Sequence, residues 1–191
     1  MPKAEKFRKT RETEVRLELD LSGGPIRIET GVGFLDHMLE LLAYHAGWGL
    51  EIQAEGDLQV DAHHTVEDVG LVLGEAFSEA LGKREGLARY GEATIPMEEA
   101  LAQVVLDLAL RPYFRFEGRF PCERVGTFDL ELIPEFLKAL AMNGRFTLHV
   151  RLFYGENTHH MAEAVFKALA YAMKRALSPT EGGPRSTKGV L

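Results

Sequence analysis

Cysteine is all but missing. Cys122 is the only one among 191 residues, so no disulfide within the chain holds the fold, which fits a reducing compartment. Long apolar runs are missing too: none approaches the roughly 20 residues of a membrane span. The basic start, residues 1–12, has no apolar stretch behind it, which argues against a secretory signal. A soluble, cytoplasmic protein is expected. Positive charge is in deficit, with 22 Lys and Arg against 29 Asp and Glu and a formal net charge of −7. That balance speaks against a uniformly basic nucleic-acid binder while leaving room for a local basic pocket. There is no Gly-x-Ser-x-Gly elbow and no glycine-rich phosphate loop. Nothing in the sequence makes Cys122, after Pro121, a reactive thiol. What remains is an ordinary globular mixture, 46% hydrophobic and 27% charged, so neither disorder nor a collagen-like or mucin-like chain is the theme. The length suits one large domain or two small ones, with a sizeable core.

Hydrophobic periodicity divides the chain into alternating and helical stretches. Val15, Leu17 and Leu19 alternate with Arg16, Glu18 and Asp20, the pattern of a half-buried strand. A Ser22-Gly23-Gly24-Pro25 turn leads to a second strand at Ile26 and Ile28. A helix is expected from Phe34 to Ala46, stopped by Gly47, then a strand at Leu50, Ile52 and Ala54. Helical spacing follows from Ala62 to about Lys83, with Asp61 placed to cap it. The second half replays this order: strands at 101–110 and 113–120, a helix from Ile133 to Met142 stopped by Asn143-Gly144, a strand over 146–152, and a helix from His159 to Leu177.

The two halves superpose as sequences. Phe34–Ala43 lies over Leu132–Ala141, and Asp61–Asp68 over Asn157–Ala164. The reading is an internal repeat of two similar strand-strand-helix-strand-helix halves in an α+β fold, with sheets packed against helices. Residues 1–95 form the first half, 96–178 the second, and 179–191 a tail whose composition suggests a flexible end.

Five of seven histidines fall in the repeated segments: His37, His63, His64, His159 and His160. The pattern His-His-x-x-Glu occurs twice, ending in Glu67 and Glu163. On a helix His63 and Glu67 share a face, while His64 points about 100° away. One ion cannot easily take both histidines of such a pair, so two pairs suggest two metals, each drawing ligands from more than one element. A single His-His pair at a helix start is ordinarily a solvated terminus. Two copies, each with Glu at the same offset and an Asp or Asn two residues earlier, indicate metal binding instead. Imidazole and carboxylate donors suit Mn, Fe, Co, Ni or Zn, and the lack of thiolate disfavours a closed structural zinc site. His37 would be a packed core residue on its own, but its repeat partner is the ligand-capable Glu135. His45 and His149 are read as structural or surface residues. Arginines at turns, such as Arg84, Arg89 and Arg111, and also Lys83, are usually solvated. Arg111-Pro112 with the terminal Ser186-Thr187-Lys188 has the chemistry of an anion pocket.

At these residues the chain resembles the imidazoleglycerol-phosphate dehydratase family of histidine biosynthesis, in its monofunctional form. The matching pieces are Phe34-Leu35-Asp36-His37-Met38, Asp61 to Asp68, Arg89-Tyr90-Gly91, Arg111-Pro112-Tyr113, His159-His160-x-x-Glu163 and Ser186-Thr187-Lys188-Gly189. The resemblance implies a ribosomal protein S5 domain 2-like fold and a homo-oligomer of 24 subunits built from trimers. It implies two Mn²⁺ per active site, formed where subunits meet. Its metal ligands would be His37, His63, His64, Glu67, His159, His160 and Glu163. Glu135 stands where the family usually has histidine, and a carboxylate there can still bind Mn²⁺. Glu12, in Arg11-Glu12-Thr13, matches a substrate-binding glutamate. Arg89, Arg111, Ser186, Thr187 and Lys188 match the phosphate contacts, which makes 179–191 a substrate-binding tail. The implied partner is a small phosphate ester, with no nucleic acid and no membrane.

The implied reaction removes water from imidazole-glycerol phosphate to give imidazole acetol phosphate. No carbonyl acidifies the C–H bond that breaks, so the imidazole ring must act as electron sink. The expected route has one metal on each ring nitrogen and a diazafulvene-like intermediate, with Glu12 as proton shuttle. Two rivals compete with this reading. One is a dinuclear metal hydrolase, disfavoured because histidines outnumber bridging aspartates. The other is a metal-stabilised assembly protein without turnover.

Overall fold

The structure, a computed structural model, describes residues 3–180. It holds β1 (Lys3–Lys9), β2 (Thr13–Asp20), β3 (Ile26–Glu29), α1 (Gly33–Ala46), β4 (Gly49–Gly56) and α2 (His63–Leu81) in the first half. The second half holds β5 (Tyr90–Met97), β6 (Ala100–Asp107), β7 (Tyr113–Glu117), a short ribbon of β8 (Arg124–Val125) and β9 (Phe128–Asp129), α3 (Leu132–Gly144), β10 (Thr147–Tyr154) and α4 (Thr158–Ala176).

The α+β repeat is present, but each half begins with one more strand than the periodicity predicts. β1 pairs antiparallel with β2, and β5 with β6. Both are edge strands, in sheets of order β1-β2-β4-β3 and β5-β6-β10-β7. An edge strand fills little of the core. β1 buries only Ala4 and is otherwise charged or half-exposed, while β5 carries Gly91 and Pro96, so neither announces itself. β5 spans the boundary drawn between residues 95 and 96. By sheet membership the change from one half to the other falls in the 82–89 connection.

The layers run sheet, helices, helices, sheet. α1 and α2 lie on the first sheet and α3 and α4 on the second, and the helix layers meet as α1 on α4 and α2 on α3. The core is continuous through both halves, from Leu17 and Leu50 through Leu39, Phe77, Phe136 and Phe166 to Val104 and Leu148. Small residues set the close approaches. A Cβ on Gly70 would lie 2.8 Å from the Phe136 carbonyl oxygen, and one on Gly74 2.6 Å from that of Leu140. A Cβ on Gly91 would meet the Ala172 carbonyl oxygen at 1.9 Å, so β5 rests directly on the α4 backbone.

Gly47 ends α1 in the left-handed region, as its place in the sequence suggests. α3 runs through Asn143 and Gly144 before Arg145 turns left-handed. Arg84, expected to be solvated, is instead buried. Its guanidinium donates to the carbonyls of Leu108, Gly144 and Arg145 at 3.0, 2.6 and 2.8 Å, and to Ser78 Oγ. Burial pulls its pKa down to about 10. It ties the 82–89 connection to the end of α3.

Candidate metal and substrate site

Both His-His pairs stand in the first turn of a helix, and the chain just before each holds them there. Asn157 caps α4, its side chain accepting from the backbone N–H of His159 at 2.9 Å and of His160 at 3.4 Å. Asp61 accepts from the His63 N–H at 2.8 Å, although the helix boundary itself falls at Ala62. One turn on, the glutamate of each motif returns to its histidine. Glu163 Oε1 lies 3.1 Å from His159 Nε2, and Glu67 Oε2 3.8 Å from His63 Nε2.

The α1–α4 contact completes one cluster. His37 Nε2 on α1 lies 3.2 Å from the same Glu163 Oε1, so His37, His159 and Glu163 bring one donor atom each within 4.8 Å of one another. Glu163 is mostly buried, which alone would raise its pKa. The Lys167 ammonium at 2.6 Å on Oε2, with His37 and His159 on Oε1, more than offsets burial and holds it at about 2. Phe34 packs its ring edge-on to His159 and also meets Phe128, an apolar wall beside the donors. Two imidazoles and one ionised carboxylate suit a divalent transition ion.

By the repeat, the matching contact in the other direction is α3 on α2, which carries Glu135 towards the helix of His63 and Glu67. Here the three donors do not close up. Glu135 has Lys138 at 3.7 Å, and among the described residues His63, His64, Glu67 and Glu135 join no group of three donors within 4.8 Å.

His64 and His160 face the other way, and each meets a carboxylate that the sequence did not single out. Asp57 Oδ2 is 2.9 Å from His64 Nδ1, with Glu12 Oε2 further off at 3.7 Å. Glu99 Oε2 is 2.8 Å from His160 Nδ1, and Glu98 stands beside it. These carboxylates raise the pKa of both histidines by hydrogen bonding. Glu99 is held at about 2 by His160 and by the Asn157 N–H. A carboxylate on Nδ1 leaves Nε2 as the nitrogen with a free lone pair, the arrangement of a metal-ligating histidine.

Arg89 and Arg111 reach one carboxylate. Asp107, at the end of β6, takes Arg89 at 2.7 and 3.0 Å and Arg111 at 3.4 Å. Arg89 is buried, not solvated, in a left-handed turn at φ 72°, and its guanidinium lies over the Tyr90 ring. Asp107 raises its pKa. Arg111 is 70% exposed. Ser186, Thr187 and Lys188 lie outside the described residues. His149 is exposed against Tyr113, and His45 is half-buried between Tyr44 and Tyr171, so neither joins the donors.

Comparison with known proteins gives one consistent answer. The family model of imidazoleglycerol-phosphate dehydratase matches residues 30–173. A protein of that description from Geobacillus kaustophilus is 54% identical over 187 residues, covering 96% of each chain. One from Clostridium botulinum is 52% identical over 191 residues, covering 98% of this chain and 97% of the relative. The crystal structure of the dehydratase from Staphylococcus aureus superposes with a TM-score of 0.86 at 42% identity, over 93% of this chain and 99% of that one. The Pyrococcus furiosus structure gives 0.85 at 38% identity, over 97% and 100%.

Proposed function

Because the chain belongs to the imidazoleglycerol-phosphate dehydratase family, a family of hydro-lyases in histidine biosynthesis, we propose that its histidine clusters hold two Mn²⁺ per active site and that Glu12 moves the proton. The observation that carries the metal assignment is the meeting of His37, His159 and Glu163 around one point. His64 and His160 present Nε2 outward, and His63, Glu67 and Glu135 supply the remaining donors. When bound, the metal pair supplies Lewis acidity that stabilises negative charge on an imidazole ring.

The substrate class is the phosphate ester of an imidazole-bearing diol. The C–H bond that breaks lies one carbon further from the ring than the departing hydroxyl and has no carbonyl to acidify it, so electrons must pass through the ring. The hydroxyl next to the ring leaves through a diazafulvene-like state of the substrate, the neighbouring carbon loses its proton, and the enol becomes the ketone imidazole acetol phosphate. Glu12, more than half exposed at the β1–β2 turn and one side-chain swing from His64, is the carboxylate free to take and return that proton. Arg89, already fixed by Asp107, and Arg111 hold the phosphate with Ser186, Thr187 and Lys188, and this remote grip positions the diol.

Sites shared between subunits account for the donors that one chain leaves incomplete. A homo-oligomer of 24 subunits built from trimers is the assembly we assign on the family's pattern. No described helix is long and apolar enough to cross a membrane, and we place the enzyme in the cytoplasm.

The test is turnover of imidazole-glycerol phosphate by protein stripped of metal, with Mn²⁺ restored and with chelator. Ketone formed only with Mn²⁺ is expected. Ketone formed equally in chelator overturns the metal assignment. Metal-loaded protein that makes none overturns the reaction, and phosphate release in its place identifies a hydrolase.

A further inference from the structure

The two halves can be aligned residue by residue through their hairpins. Lys3 pairs with Asp20 and Tyr90 with Asp107, which places β5–β6 over β1–β2 at an offset of 87. At that offset Glu12 and Glu99 are the same residue of the repeat, each at the tip of its hairpin. Gly56 and Gly155 are equivalent as well. A Cβ on Gly56 would lie 2.0 Å from Thr65, and one on Gly155 2.3 Å from Met161, and Thr65 and Met161 hold the same place in α2 and α4. The residue after each glycine, Asp57 and Glu156, is therefore the matching pair.

Equivalent residues make different bonds. In the second half Glu99 takes His160 Nδ1 with Oε2 and the backbone N–H groups of Glu156 and Asn157 with Oε1, at 3.1 and 2.7 Å. Both its oxygens are engaged. In the first half the Asp57 N–H bonds instead to the backbone carbonyl of Glu12, and the Asp57 carboxylate takes His64 Nδ1. Glu12 is left 3.7 Å from that nitrogen. The cause is loop length: six residues separate Gly56 from His63, but three separate Gly155 from His159. The longer loop lets Asp57 turn back on the first turn of α2.

We infer that Asp57 is a positioning residue that has displaced Glu12 from His64: it orients the histidine, the task Glu99 performs for His160, and thereby releases Glu12 for proton transfer. One ancestral task, done by a hairpin-tip glutamate, is split between two residues in the first half and remains with one in the second. The inference rests on the metal and shuttle roles proposed above.

The experiment compares full-length, assembled protein carrying Asp57→Ala, Glu12→Ala or both, each stripped and reloaded. It reads Mn²⁺ affinity, from free Mn²⁺ by electron paramagnetic resonance, alongside kcat. With Asp57 gone, Glu12 swings back to His64. Asp57→Ala then keeps Mn²⁺ affinity within about threefold, while the double variant loses about 10–100-fold because His64 has no orienting carboxylate. Asp57→Ala lowers kcat about 100-fold or more at little cost in KM, and adds almost nothing in the Glu12→Ala background. Asp57→Asn, whose amide oxygen still accepts from Nδ1, recovers about tenfold or more of the lost kcat. If Asp57→Ala does not fold, Asp57→Ser, too short to reach His64, replaces it. The inference is overturned if Asp57→Ala weakens Mn²⁺ as much as the double variant, or if its kcat stays at the parent level. Parent protein that neither binds Mn²⁺ nor turns over would instead remove the reading beneath it.

Discussion

His37 Nε2 and Glu163 Oε1 lie 3.2 Å apart across 126 residues of sequence. The contact joins the first helix of one half to the last helix of the other, so the donor cluster exists only when both halves share one core. Glu163 is also the acceptor for Lys167, whose ammonium takes the oxygen that the imidazoles leave free. The site is thus part of the helix–helix seam, and its charge balance is a folding term as well as a binding one.

That balance has a pH signature in metal-free protein. Glu163 is held at about 2 in the fold against an ordinary 4.5. A depressed carboxylate stabilises the fold above its ordinary value, and the contribution is lost as pH falls from there towards 2. The thermal midpoints of the parent and Glu163→Gln should differ most near neutral pH and draw together as pH falls from about 4.5 towards 2. A gap that persists undiminished at low pH would show that packing, not ionisation, is what the glutamate contributes.

Glu12→Gln separates chemistry from metal binding. The amide fills the same space at the β1–β2 turn but cannot take a proton. Turnover should fall by about 10²–10⁴, the range for loss of a general acid–base group, with Mn²⁺ content equal to the parent's. Loss of Mn²⁺ in this variant would make Glu12 a ligand, not a shuttle. Unchanged turnover would leave the shuttle role to another carboxylate.

What the sequence disclosed and what it withheld divide along physical lines. The His-His-x-x-Glu motifs were legible because their geometry is local: residues four apart on a helix meet whatever surrounds them. The capping of α4 by Asn157 was legible for the same reason, whereas Asp61 holds the His63 N–H from one residue before the α2 cap, which falls at Ala62. β1 and β5 were hidden, since an edge strand shows too few buried positions to reveal its period. Asp57, Glu99 and Asp107 were hidden as well, because nothing near them in sequence tells which histidine or arginine the fold will bring. Arg84 was misread for a related reason. A turn arginine is usually solvated, and only tertiary structure surrounds this one with three carbonyls.

Arg84→Met tests that last point. Methionine fits the length of the stem but leaves the carbonyls of Leu108, Gly144 and Arg145 without their donor in a buried place. A loss of about 3–5 kcal/mol is expected from denaturant unfolding, as for breaking a buried polar network. His37, His159 and Glu163 lie on α1 and α4, so Mn²⁺ binding at that cluster in the folded fraction should stay close to the parent's. A loss below about 1 kcal/mol would mean that water replaces the guanidinium and that Arg84 is not a structural peg.

Gly74→Ala asks whether the α2–α3 seam holds the half-built second cluster as the α1–α4 seam holds the first. The added Cβ would stand 2.6 Å from the Leu140 carbonyl oxygen and 2.7 Å from the Gly144 nitrogen, both backbone atoms that cannot swing aside. The helices must part, at a cost of about 1–3 kcal/mol. Parting them moves Glu135 away from His63 and Glu67 but leaves His37, His159 and Glu163 on their own seam. Mn²⁺ titration of the variant should therefore show one class of sites weakened and the other unchanged. Gly33→Ala is the control, because its Cβ would meet nothing within 4 Å. If Gly74→Ala weakens both classes equally, the two clusters do not belong to separate seams. If it weakens neither, Glu135 is not a ligand at all, and this chain completes the second site in another way.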